Sequence, residues 1–153
     1  MSLYADANLL IRLYLDLDAD EVRRLLFTEG ARTHWPLPVT DLLHCEVRNG
    51  MQRMVYESQH GGQWRVTPEA AAAGQALFDE EVAAGILLRR QPLPIRELEA
   101  EFDRLALRHT AKHGFRTYDI MHVAATLRLG GTRFLSFDQK AVQLAKLEGL
   151  ETN

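Results

Sequence analysis

Asp6, Glu46, Asp119 and Asp138 are the residues of this sequence whose type and position best suit a shared chemistry. Carboxylates gathered in one cleft repel, and several would take up protons unless a cation compensated them. A donor set made only of oxygen suits Mg2+ or Mn2+ better than zinc. Such a centre favours phosphodiester hydrolysis: one cation can activate a water nucleophile, a second can stabilise the leaving oxygen, and both attract a phosphate that bare acids would repel. Each acid also has a plain structural use. Asp6 and Asp138 could cap helices, Asp119 could complement a helix dipole, and Glu46 could be a solvated helix residue. What the four share is placement to reach the carboxyl edge of the strands.

That placement follows from the elements. Leu3-Tyr4-Ala5 reads as a short buried strand ending at Asp6, followed by Leu9, Leu10, Leu13 and Tyr14 at helical spacing. A second helix is expected over 20–28, and the prolines at 36 and 38 keep 34–39 extended. Thr40 reads as the N-cap of a helix from Asp41 to about Ser58, which carries Glu46 in its second turn. Gln59 to Gln63 is a loop. Thr67-Pro68-Glu69 opens another helix, Ile86-Leu87-Leu88 reads as a strand, and Leu98 to His113 reads as one helix closed by Gly114. Asp119 opens a helix stopped by Gly130-Gly131, Phe134 to Phe137 is a strand ending at Asp138, and a last helix covers about 139–148. Strands alternating with helices predict an α/β fold, a short, mostly parallel sheet flanked by helices, in a single domain over 1–153. Ligands of such sheets bind beyond the carboxyl ends of the strands, where all four acids fall.

Composition sets the limits. With 46% hydrophobic and 25% charged residues among 153, the chain can build an ordinary core. The single cysteine, Cys45, excludes an internal disulfide and a multi-cysteine zinc site; it reads as a small buried hydrophobe beside Glu46. No apolar run approaches the length of a membrane span, so a cytoplasmic protein with no membrane partner is expected. The net charge of −3 argues against a simple electrostatic nucleic-acid binder. The balance is uneven, however: residues 1–85 carry 7 basic and 13 acidic residues, and residues 86–153 carry 11 and 8. The basic half includes Arg89, Arg90, Arg96, Arg104, Arg108, Lys112 and Arg116, which form either a phosphate-facing surface or solvated helix faces.

The residues around the acids resemble the motifs of the PIN-domain family. Tyr4-Ala5-Asp6-Ala7-Asn8-Leu9-Leu10 is similar to its opening motif, Glu46-Val47-Arg48-Asn49 to its second, Asp119-Ile120-Met121-His122-Val123-Ala124-Ala125 to its third, and Phe134-Leu135-Ser136-Phe137-Asp138 to its fourth. Their order and spacing resemble VapC-like toxins of bacterial toxin–antitoxin pairs. The resemblance implies a PIN-like fold, Mg2+- or Mn2+-dependent cleavage of RNA, a homodimer and inhibition by a small antitoxin protein. It makes Asp6, Glu46 and Asp119 the principal metal ligands, with Asp138 a ligand directly or through water, and places Asn8 and Ser136 one layer back, orienting carboxylates or waters. The stretch from Gln59 to Arg96 has no counterpart in these motifs, so no particular RNA follows.

Other candidates carry less. His122, three residues after Asp119, reads as a core histidine or one that steadies the acids from behind. His109 and His113 have the i, i+4 spacing of zinc ligands but no third ligand, and read as a solvated face. Trp35 and Trp64 read as packing or interface residues before base-stacking ones. Two other functions compete: a catalytically silent PIN-like module that binds RNA or protein, and a phosphatase with Asp6 as nucleophile. The phosphatase chemistry wants a second acid two residues on, where this chain has Asn8.

Overall fold

The computed structural model describes residues 3–153. It is an α/β structure in which every strand pairing is parallel. The strands are β1 (Leu3–Ala5), β2 (Leu37–Val39), β3 (Leu88–Arg90), β4 (Arg133–Leu135) and β5 (Glu151–Thr152). Helices α1 (Ala7–Leu15), α2 (Asp20–Leu26) and α3 (Glu29–Arg32) join β1 to β2, and α4 (Asp41–Gln59) and α5 (Pro68–Ala84) join β2 to β3. Then come a 3-10 turn at Ile95–Glu97, α6 (Glu99–Leu105), a π-helical turn at Ala106–Thr110, α7 (Ala111–His113), α8 (Thr117–Arg128) before β4, and α9 (Gln139–Leu147) before β5.

Hydrogen bonding divides the strands into β1-β4-β5 and β2-β3. β1 and β2 approach within 8 Å, so the layer runs in the order β3-β2-β1-β4-β5. The chain builds outward on one side of β1 and then returns to the other, which makes the β1/β4 edge the point where the order reverses. Crevices at such reversals are the usual ligand sites of parallel sheets. The Asp6 amide donates to the Leu135 carbonyl at 2.9 Å, which fixes the two strand ends side by side. One hydrophobic cluster includes residues of both halves, from Leu3, Tyr4 and Phe134 to Leu37, Val39 and Leu88.

Local chemistry explains the boundaries. Thr40 caps α4, its Oγ1 accepting from the Leu43 amide at 3.2 Å; Leu43, Val47, Met51 and Val55, spaced by four, form the buried face. Thr67 caps α5 in the same way, with Pro68 at the first helical position. Gly114 ends α7 at φ +69, a conformation glycine adopts without steric cost.

Several expected boundaries move. The second helix stops at Leu26 rather than Thr28, because Thr28 turns out to cap α3, accepting from the Ala31 amide. The third strand is displaced two residues, from 86–88 to Leu88–Arg90, where it pairs with all of β2 and lets Arg90 reach Asp41 at 2.5 Å. The expected strand at 134–137 is β4, which ends at Leu135: the next two amides bond to side chains, Ser136 N to Asn153 Oδ1 and Phe137 N to Asn8 Oδ1, both at 3.0 Å. The helix expected over 98–113 is broken by the π-helical turn, and Thr117 rather than Asp119 starts α8. Strand β5 and helix α3 were not expected. No helix among the described residues is long and apolar enough to cross a membrane.

Candidate metal centre

A cleft of about 550 Å³ opens at the β1/β4 reversal, and Asp6, Glu46, Asp119 and Asp138 all line it, together with Asn8 and His122. Strand β1 delivers Asp6 as the residue before α1, and period-two alternation puts Tyr4 on the same side of the strand. α4, launched by Thr40, carries Glu46; α8 carries Asp119 and, one turn later, His122; the end of β4 delivers Asp138.

Each acid is held by some of its oxygens. Asp6 Oδ1 accepts from the Ala7 amide at 2.7 Å, and Asp6 Oδ2 accepts from Ser136 Oγ at 2.8 Å. Asp119 Oδ2 accepts from the Arg116 amide at 2.9 Å, and Asp138 Oδ1 accepts from the amides of Lys140 and Ala141 at the start of α9. Asp119 Oδ1, Asp138 Oδ2 and Glu46 Oε1 have no hydrogen-bond donor among the described residues. The acids thus do both things considered from the sequence: Asp138 caps α9 and Asp6 receives the first amide of α1, yet both border the cleft.

Ser136, fully buried, sits behind the cleft rather than in its wall. Its hydroxyl donates to Asp6 and accepts from Asn8 Nδ2 at 3.1 Å and from the Asp138 amide at 3.0 Å. One hydroxyl therefore ties the first acid to the fourth.

His122 is buried behind the acids and in contact with them. Its Nε2 bonds Glu46 Oε2 and stands 3.7 Å from Asp6 Oδ1, while Nδ1 lies 2.8 Å from the Tyr4 hydroxyl, itself 3.4 Å from Thr40 Oγ1. Burial by itself would lower this imidazole's pKa, but the Glu46 hydrogen bond and the charges of Asp6, Glu46 and Asp119 prevail and raise it. Burial holds the Tyr4 phenol far above its ordinary range, so it remains a neutral hydroxyl. When the imidazole is charged, both its nitrogens donate, one to Glu46 and one to the Tyr4 oxygen, and the Tyr4 proton is left for Thr40. Asp119 is also raised, first by burial and then by the neighbouring Asp138 and Asp6 charges, against the lowering effect of the Arg116 amide.

The donor set fits a divalent cation. Ligand atoms of Asp6, Glu46 and His122 lie within 4.8 Å of one another, and Asp119 and Asp138 add carboxylate oxygens on the same cleft wall. The tight group is therefore two acids and an imidazole, with Asp119 and Asp138 set further out. The carboxylates suit Mg2+ or Mn2+, and an imidazole in the group tolerates Mn2+ better than Mg2+.

Other sequence readings change. Cys45 is exposed beside Glu46 and lines the cleft, because its position on α4 lies off the face that packs on the core. His109 is buried, not solvated: its Nε2 bonds Glu148 Oε1 at 2.5 Å, locking the π-helical turn to the end of α9. Much of the basic half is occupied internally, with Arg90 on Asp41, Arg104 on Glu101 and Glu148, and Arg108 near Glu148. Trp35 packs edge-on against Phe27 and donates to the Leu26 carbonyl. Tyr4 is a further residue of the site, whose one sequence signal is its position two before Asp6 in a strand. No family model matches the chain, and no curated protein matches it.

Proposed function

We propose that this protein is a Mg2+- or Mn2+-dependent endoribonuclease with a PIN-like fold, the toxin of a toxin–antitoxin pair. The observation that carries the reading is the gathering of Asp6, Glu46, Asp119 and Asp138 along one cleft at the strand-order reversal. A divalent cation held by these carboxylates would supply a nucleophilic water and offset the charge of the substrate phosphate. The chain's own contribution is positioning. Ser136 and the Ala7 amide orient Asp6, the Arg116 amide orients Asp119, and the first turn of α9 orients Asp138. In each of the last two one oxygen stays available to a cation. His122 and Tyr4 steady Glu46 from the interior. RNA as the substrate, an antitoxin as the inhibitor and a second copy of the chain as partner come from the motif resemblance.

One observation favours the silent-module reading: His122 Nε2 bonds Glu46 and stands 3.7 Å from Asp6, so two of the acids already have a partner within the cleft. The phosphatase reading loses ground, since Asn8 stands where that chemistry wants a second acid and is engaged with the Phe137 amide and the Ser136 hydroxyl. The test is a panel of RNAs, transfer RNA included, incubated with protein freed of any bound inhibitor. Cleavage with Mg2+ or Mn2+ that EDTA abolishes is the expected result. Intact RNA throughout would support the silent module, and turnover of a small phosphate monoester with phosphate trapped on Asp6 would support the phosphatase.

A further inference from the structure

Arg12 lies on α1 one turn after Asn8 and next to Ile11, both of which line the acidic cleft. Its guanidinium carbon stands 4.3 Å from the Phe137 ring centroid and 5.7 Å from that of Trp64. Phe137 lies between Ser136 and Asp138, so the ring that holds Arg12 belongs to the same segment as the fourth acid. Arg12 is half-buried, and its guanidinium makes no hydrogen bond or ion pair among the described residues. Arginines on the neighbouring helices are paired, Arg23 with Asp16 and Asp20, Arg48 with Asp79, and Arg53, also on the cleft wall, with Glu57, whereas Arg65, next to Trp64, is exposed and makes no such pair among the described residues.

An arginine packed against aromatic faces keeps its edge N–H groups for an acceptor in its own plane, and its planar fork matches phosphate oxygens. The aromatic contacts limit its rotamers, so little freedom is lost when that acceptor arrives. We propose that Arg12, held by Phe137 and Trp64, binds a backbone phosphate of single-stranded RNA beside the cleavage site. This rests on the reading of the cleft as an RNA-cutting centre. It also addresses a difficulty of that reading: a chain with net charge −3 and an acidic cleft needs local cations to guide a polyanion, and this one is uncommitted.

The experiment measures binding of a labelled single-stranded RNA by fluorescence anisotropy with Mg2+ over a range of salt concentrations. It uses an Asp119→Asn background to suppress cutting, and cleavage by the native protein is followed alongside. Arg12→Met keeps the apolar stem between the rings and removes the charge; Arg12→Gln repeats the measurement if methionine disturbs packing. Loss of one phosphate contact predicts affinity roughly five- to tenfold weaker at low salt and a slope of log affinity against log salt shallower by about 0.7. Arg12→Lys, which keeps charge without the fork, falls between. If the native protein cuts RNA while the Arg12 variants match their background in affinity and slope, Arg12 has no such role and the nuclease reading stands. If the native protein neither cuts nor binds RNA, the nuclease reading falls and this inference with it.

Discussion

At Ser136 one hydroxyl meets three partners, donating to Asp6 and accepting from Asn8 and the Asp138 amide. Ser136→Ala removes the donor to a buried carboxylate, leaves the Asp138 amide without its acceptor and leaves Asn8 Nδ2 only Asp6 Oδ2, at 3.5 Å. The expected cost is about 1–3 kcal/mol of stability, read by chemical denaturation. Mn2+ affinity, read by titration calorimetry, should fall about 10- to 100-fold, as when a group orienting a ligand is lost; unchanged affinity would place Ser136 outside the centre. A pH prediction follows from His122 and Asp119. Both are raised in the folded state, so the fold holds their protons more tightly than the unfolded chain does. The His122 contribution is fully present below about pH 6.5 and is lost as pH rises through the folded value; the Asp119 shift acts in the same direction, beginning at lower pH. Metal-free protein should therefore lose stability on going from pH 6 to alkaline pH (roughly, given ordinary imidazole behaviour), and His122→Gln should flatten the upper part of that profile. Saturating Mn2+ should oppose the trend, since its ligands must be deprotonated to bind. Thermal melts across pH, with and without Mn2+, read both. Asp6 and Ser136 stood out because each follows a strand, Asp119 and Asp138 because they fall at the start of a helix, and Glu46 because it lies in the second turn of a capped helix. The links of His122 to Tyr4 and Glu46 did not, because they join residues 118 and 76 positions apart.

Among the elements, α4 carries the most: it brings Glu46 to the cleft, and its start is set by Thr40, whose hydroxyl also faces Tyr4. Thr40→Ala removes the cap and should cost about 1 kcal/mol, up to about 2; thermal unfolding measures it, and an unchanged midpoint would show the cap to be dispensable. The second element prediction concerns α1 and α5, which meet closely at Gly74. A Cβ there would stand 2.6 Å from Leu15 Cδ2 and 2.9 Å from the Tyr14 carbonyl oxygen. A backbone atom cannot yield as a side chain can, so Gly74→Ala should cost about 1–3 kcal/mol despite its better helix propensity. A gain in stability would mean that the two helices separate freely. The capped α4, with its four-residue spacing, was readable to within a residue at both ends, and the start of α5 was marked by its cap and proline. The short strands were less so: β3 and β4 end where pairing and side-chain bonds decide, and β5 is two residues long with no pattern to see. The π-helical turn at Ala106–Thr110 has no local signature in the sequence.

For the whole molecule, alternation of strands and helices was enough to expect a parallel α/β layer, and the reversal at β1/β4 then explains why residues near 6, 46, 119 and 138 converge. Sequence periodicity could not supply the strand order, which depends on the return of β4 to the free side of β1. Away from the cleft, Phe27, Leu77 and Ile86 are exposed around an apolar groove that also includes Trp35 and Tyr14. Light scattering should show a dimer or larger species; a monomer at tens of micromolar (roughly, given typical affinities) would contradict self-association. If the four-acid cleft cuts RNA with a divalent cation, loss of one acid should stop the cutting. Asp119→Asn keeps the shape and an oxygen to accept from the Arg116 amide while removing the charge, and it is the most direct probe. RNA cleavage rates of native and Asp119→Asn protein in Mn2+, with circular dichroism to establish folding, are the decisive comparison. Native protein should cut and the folded variant should not; a folded Asp119→Asn protein that cuts as fast as native would overturn the nuclease reading.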